Sequence, residues 1–385
     1  MTDVIVKNRL LLLAILLSAL FASPATQLPD GGNGRANLVL SQPLTLRWRY
    51  DSNLTLNLTP AFDQKSIYLP LAGGALVSLK AINGELNWRS EVGGELSASP
   101  AADHERVYVA SETGETEIAP SNTKRARGTV RALGQEGGVT QWMRTLAMPL
   151  QGSLLLAEGR LYGGGSDGGF YSFDSKTGEI KWSFKYNAAF NCQPVLSSSR
   201  IYAGSEDGNL LAFEAQTGRL LWRYRSKGPV RGPVAVANEN VYFGSGDGYV
   251  YALRSSDGRL LWRNRTGAGV QSVARVGELL LIASLDNFVY QFSLNGSRIW
   301  KRQLPGRVSA QPLTAADGAL YTPLSSAAGV VLGLHDGRPV NTLPTGEEIT
   351  TSASPIAVGE AIMVTTEHGL LAFGQPGEKA VAAKP

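Results

Sequence analysis

Residues able to do chemistry fall into three sets in this chain. The first holds the thiol and imidazole groups, a single cysteine, Cys192, and three histidines, His104, His335 and His368. Cys192 stands between Asn191 and Gln193 with no histidine close by, so no nucleophile–base pair is in view. One cysteine cannot form an intramolecular disulfide, and the histidines fall at or near predicted turns of three different repeats without metal-ligand spacing. No catalytic residue, no metal ligand and no cofactor-binding residue is therefore expected. The second set is a series of cations beside tryptophans, among them Arg47, Arg49, Arg89, Arg223, Arg263 and Lys301. Charges on an exposed strand block edge-to-edge pairing, which is the plain reading. The other reading is a basic rim that meets acidic lipid head groups or an acidic partner. The third set lies between Val109 and Val130, where Glu112, Glu115 and Glu117 are followed by Lys124, Arg125 and Arg127. With Arg231, in the exposed stretch Pro229–Gly232, the cations Lys124, Arg125 and Arg127 are the candidate partner-binding residues. A guanidinium offers a planar, multi-donor head to a carboxylate or a backbone edge, which an ammonium cannot copy.

Composition narrows the class. Lys plus Arg is 36 and Asp plus Glu is 32, a formal charge of +4, far from the clustered basicity of a nucleic-acid binder. Hydrophobic residues at 43% supply a sizeable core, while 44 glycines in 385 residues exceed the usual ~7% and point to many tight turns.

The N-terminus reads as an export signal. Lys7 and Arg9 precede an uncharged apolar run from Leu10 to Ala22, then Ser23-Pro24-Ala25. Residues 1–25 are expected to be a signal peptide removed after Ala25, with an anchor retained through Leu28 as the alternative; the run is short for a bilayer span of about 20 residues. Residues 26–43 are expected to be a flexible leader and 376–385 a disordered tail. The mature protein is expected to be soluble, periplasmic or secreted, and monomeric.

A forty-residue period supplies the elements that carry these residues. Tryptophans stand at 48, 88, 142, 182, 222, 262 and 300, and from Trp88 onward each follows a glycine by four residues. In the unit at 230–265, Val230–Val236 reads as a strand ended by Asn238-Glu239-Asn240, and Val241–Gly244 as a second strand. Asp247-Gly248 makes a hairpin turn, Tyr249–Leu253 is a third strand, Asp257-Gly258 a second turn and Leu260–Arg265 a fourth strand. Four short antiparallel strands per period describe a propeller blade. Six units end on a tryptophan, a seventh has Asn341 in that place, and an eighth stops at Phe373 before a fourth strand. Leu44–Tyr50, with Trp48, supplies the missing strand and removes an open sheet edge. The expected fold is all-β: one eight-bladed propeller over 44–375, its last blade closed by the N-terminal strand. One blade departs from the period, its turn between second and third strands lengthened by about fourteen residues into the charged stretch described above; so long a loop inside a tight repeat is functional or disordered.

The units GSEDGNLLAFEAQTGRLLW (204–222) and GSGDGYVYALRSSDGRLLW (244–262) resemble the pyrroloquinoline-quinone-type propeller repeat. Within that group the chain resembles the BamB family, propeller subunits of the outer-membrane β-barrel assembly machine, in size, export signal, LNGSRIW at 294–300 and a following blade without its tryptophan. The resemblance implies a non-enzymatic scaffold of the bacterial envelope that binds the periplasmic domains of a barrel insertase through inter-blade loops, and it is compatible with peripheral contact with the outer membrane. Such proteins are usually lipoproteins, whereas no lipid-acceptor cysteine is present here. Their partner-contacting loops carry a Leu-x-Leu-Arg run and an acidic pair; the matching places hold Phe190-Asn191-Cys192 and Val230-Arg231-Gly232, so no contact residue carries over. The same repeat builds quinone-dependent dehydrogenases, which are longer and need adjacent cysteines and a calcium site of carboxylate and amide oxygens. An exported sugar- or cell-wall-binding propeller is the third reading.

Overall fold

The computed structural model describes residues 38–118 and 123–376. The expected signal peptide, the first part of the leader and nearly all of the expected tail lie outside the described residues. Every regular element among those described is a β-strand, and no helix there is long and apolar enough to cross a membrane.

One unit shows how the repeat folds. Strands Val195–Ser197, Arg200–Gly204, Asn209–Glu214 and Leu220–Arg225 pair in succession, all antiparallel. The two middle strands are buried along almost their whole length, because both sheet faces are covered; short unbroken apolar runs such as Leu210–Phe213 are the sequence form of that burial. The outermost strand alternates instead, with Trp222 buried and Arg223 and Arg225 exposed. Six sheets of the described residues have four strands each. A seventh has eight, formed where Glu95–Ala102 and Leu150–Ala157 run parallel through Gly152 opposite Ala98 and Ser153 opposite Ser99. The architecture is that of a β-propeller.

Two local expectations are refined. The turn expected over Asn238-Glu239-Asn240 narrows to Asn238 and Glu239, both left-handed (φ 47° and 62°), as a two-residue hairpin turn requires. Of the strand expected over Val230–Val236, only Ala235–Ala237 forms. The Val230 N–H is drawn to Ser205 O of the preceding unit (3.1 Å), so the start of that run bridges blades and does not pair within one.

The tryptophans join neighbours. Trp182 donates its indole N–H to Ala215 O at 2.9 Å, and its ring lies so close over Gly218 that an added Cβ there would come within 2.5 Å of it. Gly218 also has φ +72°, a conformation that side chains resist, so two demands select glycine at this turn. The same contact recurs from each tryptophan to a turn 32 to 47 residues later, with N–H···O distances of 2.6–3.1 Å. A tyrosine ring about 6 Å away packs on five of these indoles, as Tyr202 does on Trp222.

Closure explains the one missing tryptophan. Thr45–Asp51 pairs antiparallel with Gly369–Gly374, from Thr45 opposite Gly374 to Asp51 opposite Gly369. That sheet has no hairpin between its third and outermost strands, because the two come from opposite ends of the chain, and so no glycine turn to receive an indole. Asn341 stands where the indole would start, and its amide donates to Leu40 O (2.9 Å) and Gln42 O (2.7 Å). Residues 38–41, expected to belong to a flexible leader, are instead packed. Leu38, Leu40 and Leu44 are buried with Leu313, Val331 and Phe373, and Asp317 accepts the backbone N–H groups of Leu40 and Ser41 at 3.1 and 2.6 Å.

Replacing Asn341 by the tryptophan of its seven sister positions should therefore destabilise the protein. It removes two hydrogen bonds and overfills a site with no receiving turn, at a cost of about 1–3 kcal/mol. Trp222→Ala, which empties a real receptor, should cost about 3–5 kcal/mol. Thermal melting of both variants checks this; a higher Tm for Asn341→Trp would contradict the account of closure.

Candidate functional site

The turns between second and third strands lie beside the links that join blades. In the turn Ser205–Asn209 the Glu206 N–H donates to Ala189 O in the link before it (2.9 Å), and the Glu206 carboxylate receives Arg231 from the link after it. The candidate cations all sit on this face.

The lengthened turn is a β-ribbon and not an irregular loop. Strands Arg106–Ile118 and Thr123–Gly134 stay in antiparallel register out to Ile118 opposite Thr123, with one irregularity between Thr113 and Thr116. Threonine-rich strands suit this geometry, and the register sets Glu117 opposite Lys124, an oppositely charged cross-strand pair of positions. Arg125 stands opposite Thr116. Pairing to the flanking strands ends at Glu112 opposite Glu95 and at Gly128 opposite Leu146. Beyond those points the ribbon is two-stranded, with both edges free of strand partners among the described residues. Its base is flush with the following link, since a Cβ on Gly128 would lie 2.4 Å from Met148 O.

Arg127, at that base, is exposed and borders a groove of about 490 Å³ lined also by Met148, Asp167 and Lys185. Lys185 pairs with Asp167 at 2.6 Å. Burial pushes the Asp167 carboxyl up, but the Lys185 ammonium and the Gly169 N–H outweigh it and hold the group below the usual carboxylate range. Arg231 is on the same face but does not line this groove. Its Nε and Nη2 reach the two Glu206 oxygens at 2.8 and 2.7 Å, a bidentate fork in which the Arg231 side chain stays half exposed. The structure thus brings Arg127 together with Asp167 and Lys185, and Arg231 with Glu206, without joining the two groups.

Sequence reasoning reads Asp167 as a turn residue and Lys185 as a cation near Trp182 without foreseeing their pair, and it misses Glu206, although one signal for Glu206 exists. The repeat places Ser166, Gly246 and Leu285 at its equivalent positions, so this unit alone among those four carries a charge there. The remaining reactive groups stay apart. Cys192 is buried, and burial pushes its thiol up to about 12, leaving it inert near neutral pH. His104 lies 3.7 Å from Glu105 and His368 lies 3.3 Å from Glu348, in separate sheets. A quinone with calcium would need several carboxylate and amide oxygens converging on one point. Among the described residues no group of three or more His, Cys, Asp or Glu side chains comes together.

Comparison with known proteins gives the family context. The profile of the family described as outer membrane protein assembly factor BamB matches residues 40–124, 126–231 and 217–383. Among solved structures, the chain is similar to BamB from Moraxella catarrhalis, with 17% identity, TM-score 0.61, and 86% of this chain and 88% of that one covered. It is also similar to quinohemoprotein alcohol dehydrogenase from Comamonas testosteroni, with 12% identity, TM-score 0.70, and 89% and 78% covered. A third is the computationally designed Ika8 protein, with 12% identity, TM-score 0.73, and 86% and 99% covered. At these identities the structures speak to fold alone. No match was found among curated protein sequences.

The Arg231–Glu206 pair is exposed enough that its worth to the fold should be small, about 0–1 kcal/mol. A double-mutant cycle with Arg231→Gln and Glu206→Gln, read by denaturant melting, is expected to give a coupling in that range. A coupling of several kcal/mol would mark the pair as a structural brace.

Proposed function

The chain belongs to the family of the outer membrane protein assembly factor BamB, and on that premise we propose that it is a non-catalytic scaffold of the bacterial envelope that binds a protein of outer-membrane assembly. We read its four-stranded units, with the eight-stranded sheet counted as two, as eight blades in a closed ring, the last completed by the N-terminal strand. We read residues 1–25 as an export signal, which would deliver the mature protein to the periplasm or outside the cell, with the periplasmic domains of a barrel insertase as its proposed partner.

The observation that carries this reading is the ribbon. A closed propeller leaves few unpaired strand edges, whereas the ribbon beyond Glu112 and Gly128 offers backbone donors and acceptors on both sides, with carboxylates along one strand and cations along the other. An extended segment of a partner can add to such an edge, the backbone giving affinity and the charges giving register. On the same face, Arg231 presents a guanidinium already oriented by Glu206, which reduces the ordering cost of using it on a partner's carboxylate or backbone carbonyl. Support for the non-catalytic part comes from the scattered placement of Cys192, His104, His335 and His368.

Binding of the purified periplasmic domains of the insertase tests the proposal. Shortening 112–128 to a four-residue turn should leave the Tm unchanged and weaken binding. Arg231→Glu, which sets a second carboxylate beside Glu206, should weaken it by about 2 kcal/mol or more if the arginine is a buried anchor of the interface. Equal affinity for wild type and both variants would move the interface elsewhere. Saturable uptake of the quinone with calcium, seen as a rise in Tm, would restore the dehydrogenase reading.

A further inference from the structure

The cations that follow the tryptophans are neutralised or covered in different ways from blade to blade. In Thr45–Asp51 and Leu86–Glu91 the arginine pairs with an acid two residues on, Arg49 with Asp51 and Arg89 with Glu91. In Leu260–Arg265 and Arg298–Gln303 it lies over an aromatic ring, Arg263 at 5.1 Å from the Tyr249 centroid and Lys301 at 3.7 Å from that of Phe288. The strand Leu220–Arg225 has neither device. Position 225 is a second arginine, and Asn209 stands opposite it where the other two blades place Tyr249 and Phe288.

These two arginines border a pocket of about 220 Å³ with Tyr186, Asp207 and Asn209. Asp207 offsets one of their two charges, but its oxygens accept from neighbouring donors and form no ion pair with either arginine. One accepts from Ser205 Oγ (2.6 Å) and the Asn209 N–H (3.4 Å), the other from Tyr186 Oη (3.1 Å) and Asn209 Nδ2 (2.9 Å). Neither Arg223 nor Arg225 forms an ion pair with a carboxylate among the described residues; Arg223 sits beside the Tyr186 hydroxyl. Two guanidinium groups on one strand against the single carboxylate that lines the pocket among the described residues leave an excess of positive charge over a small polar cleft. At this volume it is below the roughly 300–1,000 Å³ of sites for drug-sized ligands, so what it takes is a small group.

We propose that this pocket binds one phosphoryl group, anchored by Arg223 and Arg225. A phosphoryl group presents several tetrahedrally disposed oxygens to two forks at once, whereas a planar carboxylate is satisfied by one. The group can belong to free phosphate or to a phospholipid head group, and the two sources are separable by experiment. The site is distinct from the ribbon and from Arg231.

The test is calorimetric titration of the full mature chain with inorganic phosphate at constant ionic strength, together with co-sedimentation on vesicles of phosphatidylglycerol in phosphatidylcholine. Wild type should bind phosphate saturably. The double variant Arg223→Gln/Arg225→Gln should bind about tenfold more weakly or worse, with unchanged Tm. The equivalent pair Arg263→Gln/Arg265→Gln in the next blade should bind as wild type does. Vesicle binding that falls with the first pair alone supports the site with a lipid head group as the source; phosphate binding that falls without any change on vesicles supports it with free phosphate. Absence of saturable phosphate binding, equal loss in both double variants, or capture of a glutamate-rich peptide in place of phosphate would overturn the proposal.

Discussion

The insertion of each tryptophan into the glycine turn of the next blade is the contact on which the rest of this molecule depends. A blade carries the indole on its outermost strand but not the receptor, which lies 32 to 47 residues onward. No blade is therefore complete alone, and stability accrues through interfaces between neighbours, as in other repeat architectures. The contact asks for an indole N–H, a carbonyl at the start of a turn and a residue without a Cβ at its end. Those demands explain why a tryptophan and a glycine turn recur in successive units while the residues between them vary.

The same contact accounts for how the ends are used. Where the ring closes, the receiving hairpin is replaced by two chain ends, and an indole at position 341 would have nothing to enter. Asn341 bonds to carbonyls of the N-terminal segment instead, and Leu38, Leu40 and Leu44 fill the space beneath. Residues that read as a polar leader thus act as the last element of the framework.

A division of labour between the two faces follows. The tryptophan contacts consume the turns between third and outermost strands, and any change there disturbs a blade interface. Turns between second and third strands and the links beside them receive no indole; they meet through backbone hydrogen bonds such as Val230 N–H to Ser205 O, which leave the side chains of Glu206 and Arg231 at the surface. The ribbon, the Arg231–Glu206 pair and the phosphoryl pocket are all built from that second set, with the outermost strand Leu220–Arg225 closing the pocket.

Local pattern was enough to read the period, the four strands of each unit, the Asp-Gly turns and the strand that closes the last sheet, because each rests on alternation, turn chemistry or spacing within about forty residues. It also marked residues 112–128 as exceptional and Arg231 as a charge in an exposed link. It did not show that the insertion is a paired ribbon, since strand pairing there depends on register between two segments of mixed charge. That Arg231 already holds Glu206, 25 positions away, depends on two blades meeting. That Asn341 ties down Leu40, 301 positions away, depends on the ring closing. Whether an arginine on an outer strand is covered turned on the residues of the neighbouring strand, where Tyr249 lies under Arg263 in one blade and Asn209 takes the position of that tyrosine in the blade before it. Charge balance at a point in space is set by long-range neighbours, and only the tertiary structure brings them together.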